Sequence, residues 1–152
     1  MYYSTVYPHL QYCNLVWGSA MKTIVNPLLL LQKRIIKIIS SVGYREHTDH
    51  LFNEHAILRI NDIHRLELFK FVHFELKSPT VLLFSRVATI HSQNLRNSNL
   101  FRLPQIYFEA CKRFVCYSRC IAWNSLPEQL KVIENIVTFR IKTKKYILYE
   151  NA

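Results

Sequence analysis

The chain has 152 residues, half of them apolar and 13% aromatic, which excludes a disordered protein and is enough for one domain with a sizeable core. Only 2 glycines and 5 prolines are present, so the chain lacks the turn residues of a sandwich or barrel, and helices are favoured. The net charge of +10 indicates a polyanionic partner, nucleic acid first and an anionic membrane second. A solvated basic surface without a partner is the alternative.

The first two predicted helices occupy the N-terminal quarter. Residues 2–17 are expected to be helical, with Pro8 near a junction or in a first turn and Gly18 closing the segment. Residues 24–41 follow as a longer helix, whose apolar side chains recur at steps of four and three: Ile24, Leu28, Leu31, Ile35 and Ile38. We expect this stripe, Leu31 included, to be buried in the core, and Gly43 to end the helix as a left-handed cap.

Neither segment has the pattern of a membrane span or a secretion signal. Gln32, Lys33, Arg34 and Lys37 interrupt the apolar run, whereas a span needs about twenty apolar residues in a row. The N-terminus lacks the basic and continuous apolar regions of a signal peptide, and four irregularly spaced cysteines do not form a disulfide framework. The sequence therefore predicts an intracellular protein, in the nucleus or the cytoplasm, with reduced thiols and no membrane contact.

Two further helices are predicted before the middle of the chain. Thr48 is a typical N-cap residue, and Asp49 suits the positive end of the helix dipole, so a short helix should pass through Phe52. Asn61 and Asp62 begin another helix, which the apolar spacing continues to about residue 77.

The C-terminal third begins with short β-prone pieces at 106–108 and 114–117, which could pair as a hairpin. The run from Ser125 to Glu128, SLPE, matches a capping box and predicts a short helix to about Val132. A basic last helix should run from about 136 to 149.

One domain is predicted, in three stretches. Residues 1–80 form a helical core region, and residues 81–105, rich in Ser, Asn, Gln and Arg, form a polar surface loop. Residues 106–152 combine the β-prone segment with the basic helix and complete the same domain. The predicted fold is mainly α, a small helical bundle with at most one short β-hairpin in the C-terminal third.

Seven blocks of the sequence resemble one known family. In chain order they are YYSTVYPHLQYCNLVWGSA, LLLLQKRIIKIISS, YREHTDHLF, ILRINDIHRLELFKF, HSQNLRNSNLFRLP, WNSLPEQLK and FRIKTKKYIL. Together they resemble the C-terminal region of non-LTR (LINE-type) retrotransposon polyproteins, and more narrowly the segment after the reverse transcriptase palm of jockey-like elements. YPHLQYCNLVWG and WNSLP are the more specific blocks. The resemblance covers nearly the whole chain and implies the heritage of an RNA-directed DNA polymerase.

Two features depart from the family's pattern. The stretch CKRFVCYSRCIAW stands where the family has a more basic, glycine-containing run before WNSLP. Met1 falls inside what resembles a helix of the family, as if the reading frame were cut there.

The polymerase reaction requires carboxylates that this chain lacks. Polymerases hold two divalent metals with paired carboxylates, but the two aspartates, Asp49 and Asp62, are far apart in sequence and each begins a predicted helix. Cys111, Cys116 and Cys120 have the density of a zinc site but not its two tight pairs, so no metal is predicted. We therefore expect no enzyme activity, no cofactor and no small-molecule substrate.

Basic side chains mixed with amides and tyrosines indicate contact with RNA or DNA. Lys and Arg neutralise phosphates whatever the base sequence, and Tyr can stack on unpaired bases. The candidate contacts lie on the second helix, in the polar loop and on the last helix: Lys33, Lys37, Arg86, Arg96, Arg102, Arg140, Lys142, Lys144 and Lys145. The alternative is a solvated loop and a solvated helix face.

Three functions stay open. The first is a non-catalytic fragment that contacts the RNA or DNA backbone, which is slightly favoured because so much positive charge is not needed for folding. The second is a structural or protein-interaction domain without nucleic-acid affinity, whose apolar surface packed on the missing polymerase palm, and this class includes a genomic relic. The third, an independent enzyme, is the least favoured.

Overall fold

The computed structural model describes residues 1–77 and 100–150, so most of the predicted polar loop lies outside the described residues. In the described part of the chain the elements are α1 Tyr2–Thr5, α2 Tyr7–Gln11, α3 Asn14–Trp17, α4 Lys22–Ile39, α5 Asp49–Glu54, α6 Ile60–Glu75, a 3-10 helix Glu109–Arg113, α7 Val115–Ser125, α8 Glu128–Lys131 and α9 Ile136–Glu150. The predicted mainly α fold is confirmed.

The chain divides into two compact units. The first combines Met1–Glu67 with Arg140–Ala152, and the second is Leu68–Phe139. Helices α6 and α9 each contribute residues to both units, because the boundaries fall inside these helices. Each unit contains buried apolar side chains of its own.

The single helix predicted at 2–17 is three short helices. Tyr12 has an extended backbone and Cys13 a left-handed one, with φ of 49°, which breaks the helix between α2 and α3. Gly18, after α3, lies so close to His64 that a Cβ atom on it would be 2.3 Å from the imidazole Nδ1. His64 in turn hydrogen-bonds the side-chain oxygen of buried Asn14 at 3.0 Å. The segment is therefore fixed by close packing on α6.

Helix α4 has nearly the predicted bounds but buries another face. Its buried residues are Val25, Gln32 and Ile36. The members of the predicted stripe with the largest exposed fractions are Ile24 at 63%, Leu31 at 50% and Ile38 at 76%. The prediction that Leu31 lies in the core is wrong. The apolar period was read correctly, but the helix is rotated so that a polar residue faces the interior.

Gln32 makes three buried hydrogen bonds, which explain that rotation. Its Nε2 donates to the Tyr2 hydroxyl at 2.7 Å and to the Leu58 carbonyl at 2.8 Å, and its Oε1 accepts from the Ile60 amide at 3.0 Å. Ile60 is the first residue of α6, where the amide has no acceptor within its own helix. Burial of the Tyr2 hydroxyl raises its pKa to about 12, so it stays neutral beside the amide.

The core of the first unit surrounds these hydrogen bonds. Tyr2, Ile36 and Phe52 are buried together with Leu51 and Ile57. Two of these come from α5, the short helix predicted from Thr48 and Asp49, which is observed at Asp49–Glu54. The core thus joins α1, α4 and α5 to the turn that precedes α6.

The end of α4 is a Schellman motif centred on Ser41 instead of Gly43. Ser41 has a φ of 53°, its amide donates to the Ile38 carbonyl at 3.2 Å, and the Val42 amide donates to the Lys37 carbonyl at 3.1 Å. Gly43 has no positive φ and open space around it. The predicted left-handed glycine cap is therefore wrong by two residues.

The second unit contains a cluster of aromatic rings. Phe139 stacks on His73 with 4.3 Å between ring centroids, and Trp123 lies 6.1 Å from Phe139. The Asn124 side chain holds the backbone of Phe101 at both ends, accepting from its amide at 3.0 Å and donating to its carbonyl at 2.9 Å. This clip fixes Phe101 against Trp123.

In this unit the possible hairpin does not form, and one local prediction is wrong. No hairpin forms at 106–117, where the described chain has a 3-10 helix followed by the start of α7. Helix α7 forms here instead of a strand because Arg119, Cys120 and Trp123 bury one face at helical spacing. The capping box is also absent: Ser125 donates its hydroxyl to the Ala122 carbonyl at 2.7 Å, and α8 begins after Pro127 without a side-chain cap.

Replacing Gln32 by Leu should destabilise the protein by more than about 3 kcal/mol. The substitution leaves the Tyr2 hydroxyl, the Leu58 carbonyl and the Ile60 amide buried without their partner, and each unsatisfied group costs about 1–3 kcal/mol. Leu31→Ala, on the exposed stripe, should cost less than about 1 kcal/mol, since half of that side chain is already in water. Urea unfolding measures both. A larger loss for Leu31→Ala would show that the buried face is assigned wrongly.

Ser41→Gly should raise the free energy of unfolding by about 0.5 kcal/mol. A left-handed L-residue costs roughly 1–2 kcal/mol, part of which the greater freedom of glycine in the unfolded chain offsets. Gly43→Ala should be neutral or stabilising, by up to about 1 kcal/mol, since neither space nor backbone requires glycine there. Thermal unfolding of the two variants compares them directly. Destabilisation by Gly43→Ala would instead favour the cap that the sequence predicted.

Candidate nucleic-acid interface

The exposed face of α9 carries two of the four predicted cations of that helix. Lys142 and Lys145 are exposed and lie one turn apart, and Tyr149, 85% exposed, follows on the same side. Thr143 and Ile147 are fully buried and fix which side of the helix faces the first unit. We call Lys142, Lys145 and Tyr149 the α9 outer face.

Lys144 is instead part of the packing of the first unit. Its Nζ donates to the Tyr3 hydroxyl at 2.8 Å and lies 4.7 Å from the centroid of the same ring. Tyr3 donates onward to the Ala56 carbonyl at 2.7 Å. Lys144 therefore ties α9 to α1, and its replacement would disturb the fold as well as the surface charge. Arg140, one turn before it, is exposed.

The two predicted cations on α4 are half-buried. Lys37 donates to the Tyr44 carbonyl at 2.5 Å and lies 5.4 Å from the centroid of the Tyr44 ring, so it holds the loop after the helix. Lys33 lies one turn earlier on the same side of α4. Both lysines have less freedom to follow a phosphate chain than those on the α9 outer face.

The predicted arginines of the polar loop are mostly not described. Arg86 and Arg96 lie outside the described residues. Arg102 is exposed and belongs to the second unit, where it follows Phe101, the residue whose backbone Asn124 hydrogen-bonds. The described structure therefore brings together Lys142 and Lys145 on α9, whereas Arg102 belongs to the other unit.

Two carboxylates of the first unit form ion pairs with arginines. Asp49 pairs with Arg59 at 2.9 Å, and Glu150 pairs with Arg65 at 2.5 Å. The hydrogen bond from Arg65 lowers the pKa of Glu150, which keeps that carboxylate ionised and paired. Within the described ranges, no carboxylate lies at ion-pair distance from Lys142 or Lys145, so their charge is not neutralised locally.

The part of the chain that the structure describes contains no cluster of metal-ligating side chains. No group of three His, Cys, Asp or Glu side chains there is placed to hold a metal ion. Burial raises the pKa of the Cys120 thiol, which keeps it protonated and unreactive. None of the described helices is long and apolar enough to cross a bilayer.

The residues of the WNSLP block have structural positions. Trp123 and Leu126 are buried, and Asn124 makes the clip to Phe101, which itself belongs to the block HSQNLRNSNLFRLP. A buried ion pair lies in the same unit, with Arg119 Nη1 3.2 Å from a Glu75 carboxylate oxygen. Burial raises the pKa of Glu75 more than Arg119 lowers it. These groups contribute to the packing of the second unit and are not candidates for a binding surface. The α9 outer face stays the candidate binding surface.

Sequence reasoning missed two features of the site. The exposed Tyr149 lies seven residues after Lys142, a spacing that places both on one helix face, and this signal was available in the sequence. The packing of Lys144 on Tyr3 joins residues 141 positions apart and has no local signal.

Comparison with known proteins adds no further constraint on these assignments. The resemblance to retrotransposon polyproteins therefore stays a prediction from the sequence blocks. No family model, no curated protein and no solved structure matches this chain.

Proposed function

We propose that the chain is a non-catalytic helical module that contacts the phosphate backbone of RNA or DNA through the α9 outer face. The observation that carries this proposal is the pair Lys142 and Lys145, exposed on one side of α9 without a carboxylate partner in the described chain. Such lysines release counterions when they meet phosphates, which is the main source of sequence-independent affinity. The net charge of +10 also attracts a polyanion such as RNA or DNA over longer distances.

Tyr149 makes a single strand the preferred ligand. A phenol ring that is 85% exposed beside two lysines can stack on an unpaired base while the ammonium groups contact the neighbouring phosphates. Bases in a duplex are already stacked and offer no such face. The resemblance to a region that follows a polymerase palm agrees with a single-stranded template or product as the ligand.

A second function is favoured by a separate observation. Three large aliphatic side chains of the α4 stripe, Ile24, Leu31 and Ile38, are exposed on one side of the helix at intervals of seven residues. This supports a protein-interaction domain that uses α4, with or without the contact to nucleic acid. The two functions use different helices and can be tested separately.

Lys142→Ala/Lys145→Ala should weaken binding to single-stranded RNA and reduce its salt dependence. Each phosphate contact contributes about 0.7 to the slope of log affinity against log salt for single strands, so losing two contacts should lower the slope by about 1.4. The weakening should be equal for RNAs of different sequence, because phosphate contacts carry no base information. Fluorescence anisotropy of a labelled RNA over a salt series measures both effects.

The matched control is Lys112→Ala/Lys131→Ala, which removes the same net charge. These lysines are already paired with Glu109 at 2.7 Å and Glu128 at 2.8 Å, so their loss should change the salt slope little. Equal weakening by both double variants would show a response to total charge without an α9 site. Binding by the parent that does not depend on salt would also contradict the proposal.

A further inference from the structure

A groove runs along α4 in the first unit. One cavity of about 450 Å³ lies between α1 and the C-terminal half of α4, and another of about 250 Å³ lies between α2 and the middle of α4. The two cavities share Thr5, Val6 and Ile35 in their walls, so they form one continuous depression. We call it the α4 groove.

The apolar side chains of α4 along this groove follow a heptad repeat. Positions 24, 28, 31, 35 and 38 alternate steps of four and three, the spacing of the a and d residues of a coiled coil. The stripe is about 21 Å long at 1.5 Å per residue, or two heptads. Leu28 and Ile35 are half-buried in the groove, and the exposed Leu31 and Ile38 also line it, whereas Ile24 is exposed and lines neither cavity. This shape suits the apolar face of one more helix.

No Asp or Glu lines the α4 groove, and the charged side chains of α4 beside it are cations. Residues 1–45 contain no Asp and no Glu, but they contain five Lys and Arg residues. Arg34 is exposed, and together with Lys37 it lines a third cavity of about 310 Å³ that adjoins Ile38. In the described chain, no carboxylate lies at ion-pair distance from Arg34. A ligand of this groove would therefore meet an apolar seam with cations beside its end near Ile38.

Three kinds of ligand could cover the α4 groove, and its charge and shape favour one of them. A second copy of the chain would bring the same cations against Arg34 and its neighbours, and like charges at a helix seam are destabilising. A membrane surface is flat, whereas the apolar side chains here line a depression between helices. A helix with acidic residues beside its apolar seam satisfies both the shape and the charge.

We propose that the α4 groove binds an amphipathic helix of another protein, with a heptad apolar seam flanked by carboxylates. The contacts would bury Leu31 and Ile38 and pair Arg34 with a Glu or Asp of the partner. This inference rests on the second function, the protein-interaction domain, and does not depend on the α9 outer face. It accounts for an exposed stripe that the packing of the described chain does not use.

The test uses a synthetic peptide of about three heptads, with Leu at a and d and Glu at e and g, added to the full chain. The parent protein should bind this peptide, measured by calorimetry, and should bind a peptide with Lys at e and g at least about tenfold more weakly. Ile38→Gln should weaken binding of the Glu peptide about tenfold or more. Because Ile38 is 76% exposed, this variant should keep the parent's circular dichroism and melting temperature.

Reversing the charge of Arg34 tests whether this side chain contacts the carboxylates of the peptide. Arg34→Glu should lose affinity for the Glu peptide and gain affinity for the Lys peptide, while Lys112→Glu, in the second unit, should do neither. If Lys112→Glu weakens the Glu peptide as much as Arg34→Glu does, the attraction is non-specific and the proposal fails. It also fails if the parent does not bind the Glu peptide.

Two further experiments test the other possible ligands of the groove, a second copy of the chain and a membrane. Self-association of the parent in sedimentation that Ile38→Gln abolishes would assign the groove to a second copy. Binding to vesicles with anionic lipid that Ile38→Gln abolishes would assign it to a membrane, and either result would overturn the proposal. Failure here leaves the contact to RNA unaffected, because Ile38→Gln should bind RNA as the parent does.

Discussion

The buried amide of Gln32 is the interaction on which the first unit depends. It satisfies a hydroxyl from α1, a carbonyl from the turn before α6 and the first amide of α6 itself. A buried polar group without partners is costly, so the rotation of α4 about its axis is set by these three bonds. The apolar stripe of α4 is turned outward as a consequence. The exposed groove and the hydrogen-bonded core are thus two results of the same constraint.

The sequence predicted the long helices well because their signal is local. The apolar period gave α4 and α6 to within two residues of their observed bounds, and the basic helix predicted at about 136–149 is observed as α9. The buried face of α4 could not be obtained in this way, because a period shows that a stripe is apolar without showing what covers it. The bonds of Gln32 join residues 26 to 30 positions apart, and the nearby run of Leu and Ile carries no trace of them. The left-handed conformation of Ser41 was missed because local rules prefer glycine at such a position, and these rules pointed to Gly43.

The positive charge of the chain serves more than one purpose. Arg59 and Arg65 neutralise carboxylates, Lys37 and Lys144 pack on tyrosine rings, and only part of the excess remains for a ligand. Composition alone treated all of these cations as equal candidates for nucleic acid. In the structure, Lys142 and Lys145 lie on the α9 outer face, whereas Arg34 lies beside the α4 groove. We propose phosphates as the ligands of the first surface and carboxylates as those of the second.

The measurement that tests the role of Gln32 most directly is hydrogen exchange of the Ile60 amide by NMR. An amide at the first position of a helix normally exchanges fast, because it has no acceptor in its own helix. With the Gln32 oxygen 3.0 Å away in a buried site, the Ile60 amide should exchange as slowly as those in the middle of α6. The Asn61 amide, in the same first turn, provides the comparison. Exchange of Ile60 as fast as that of Asn61 would contradict the account.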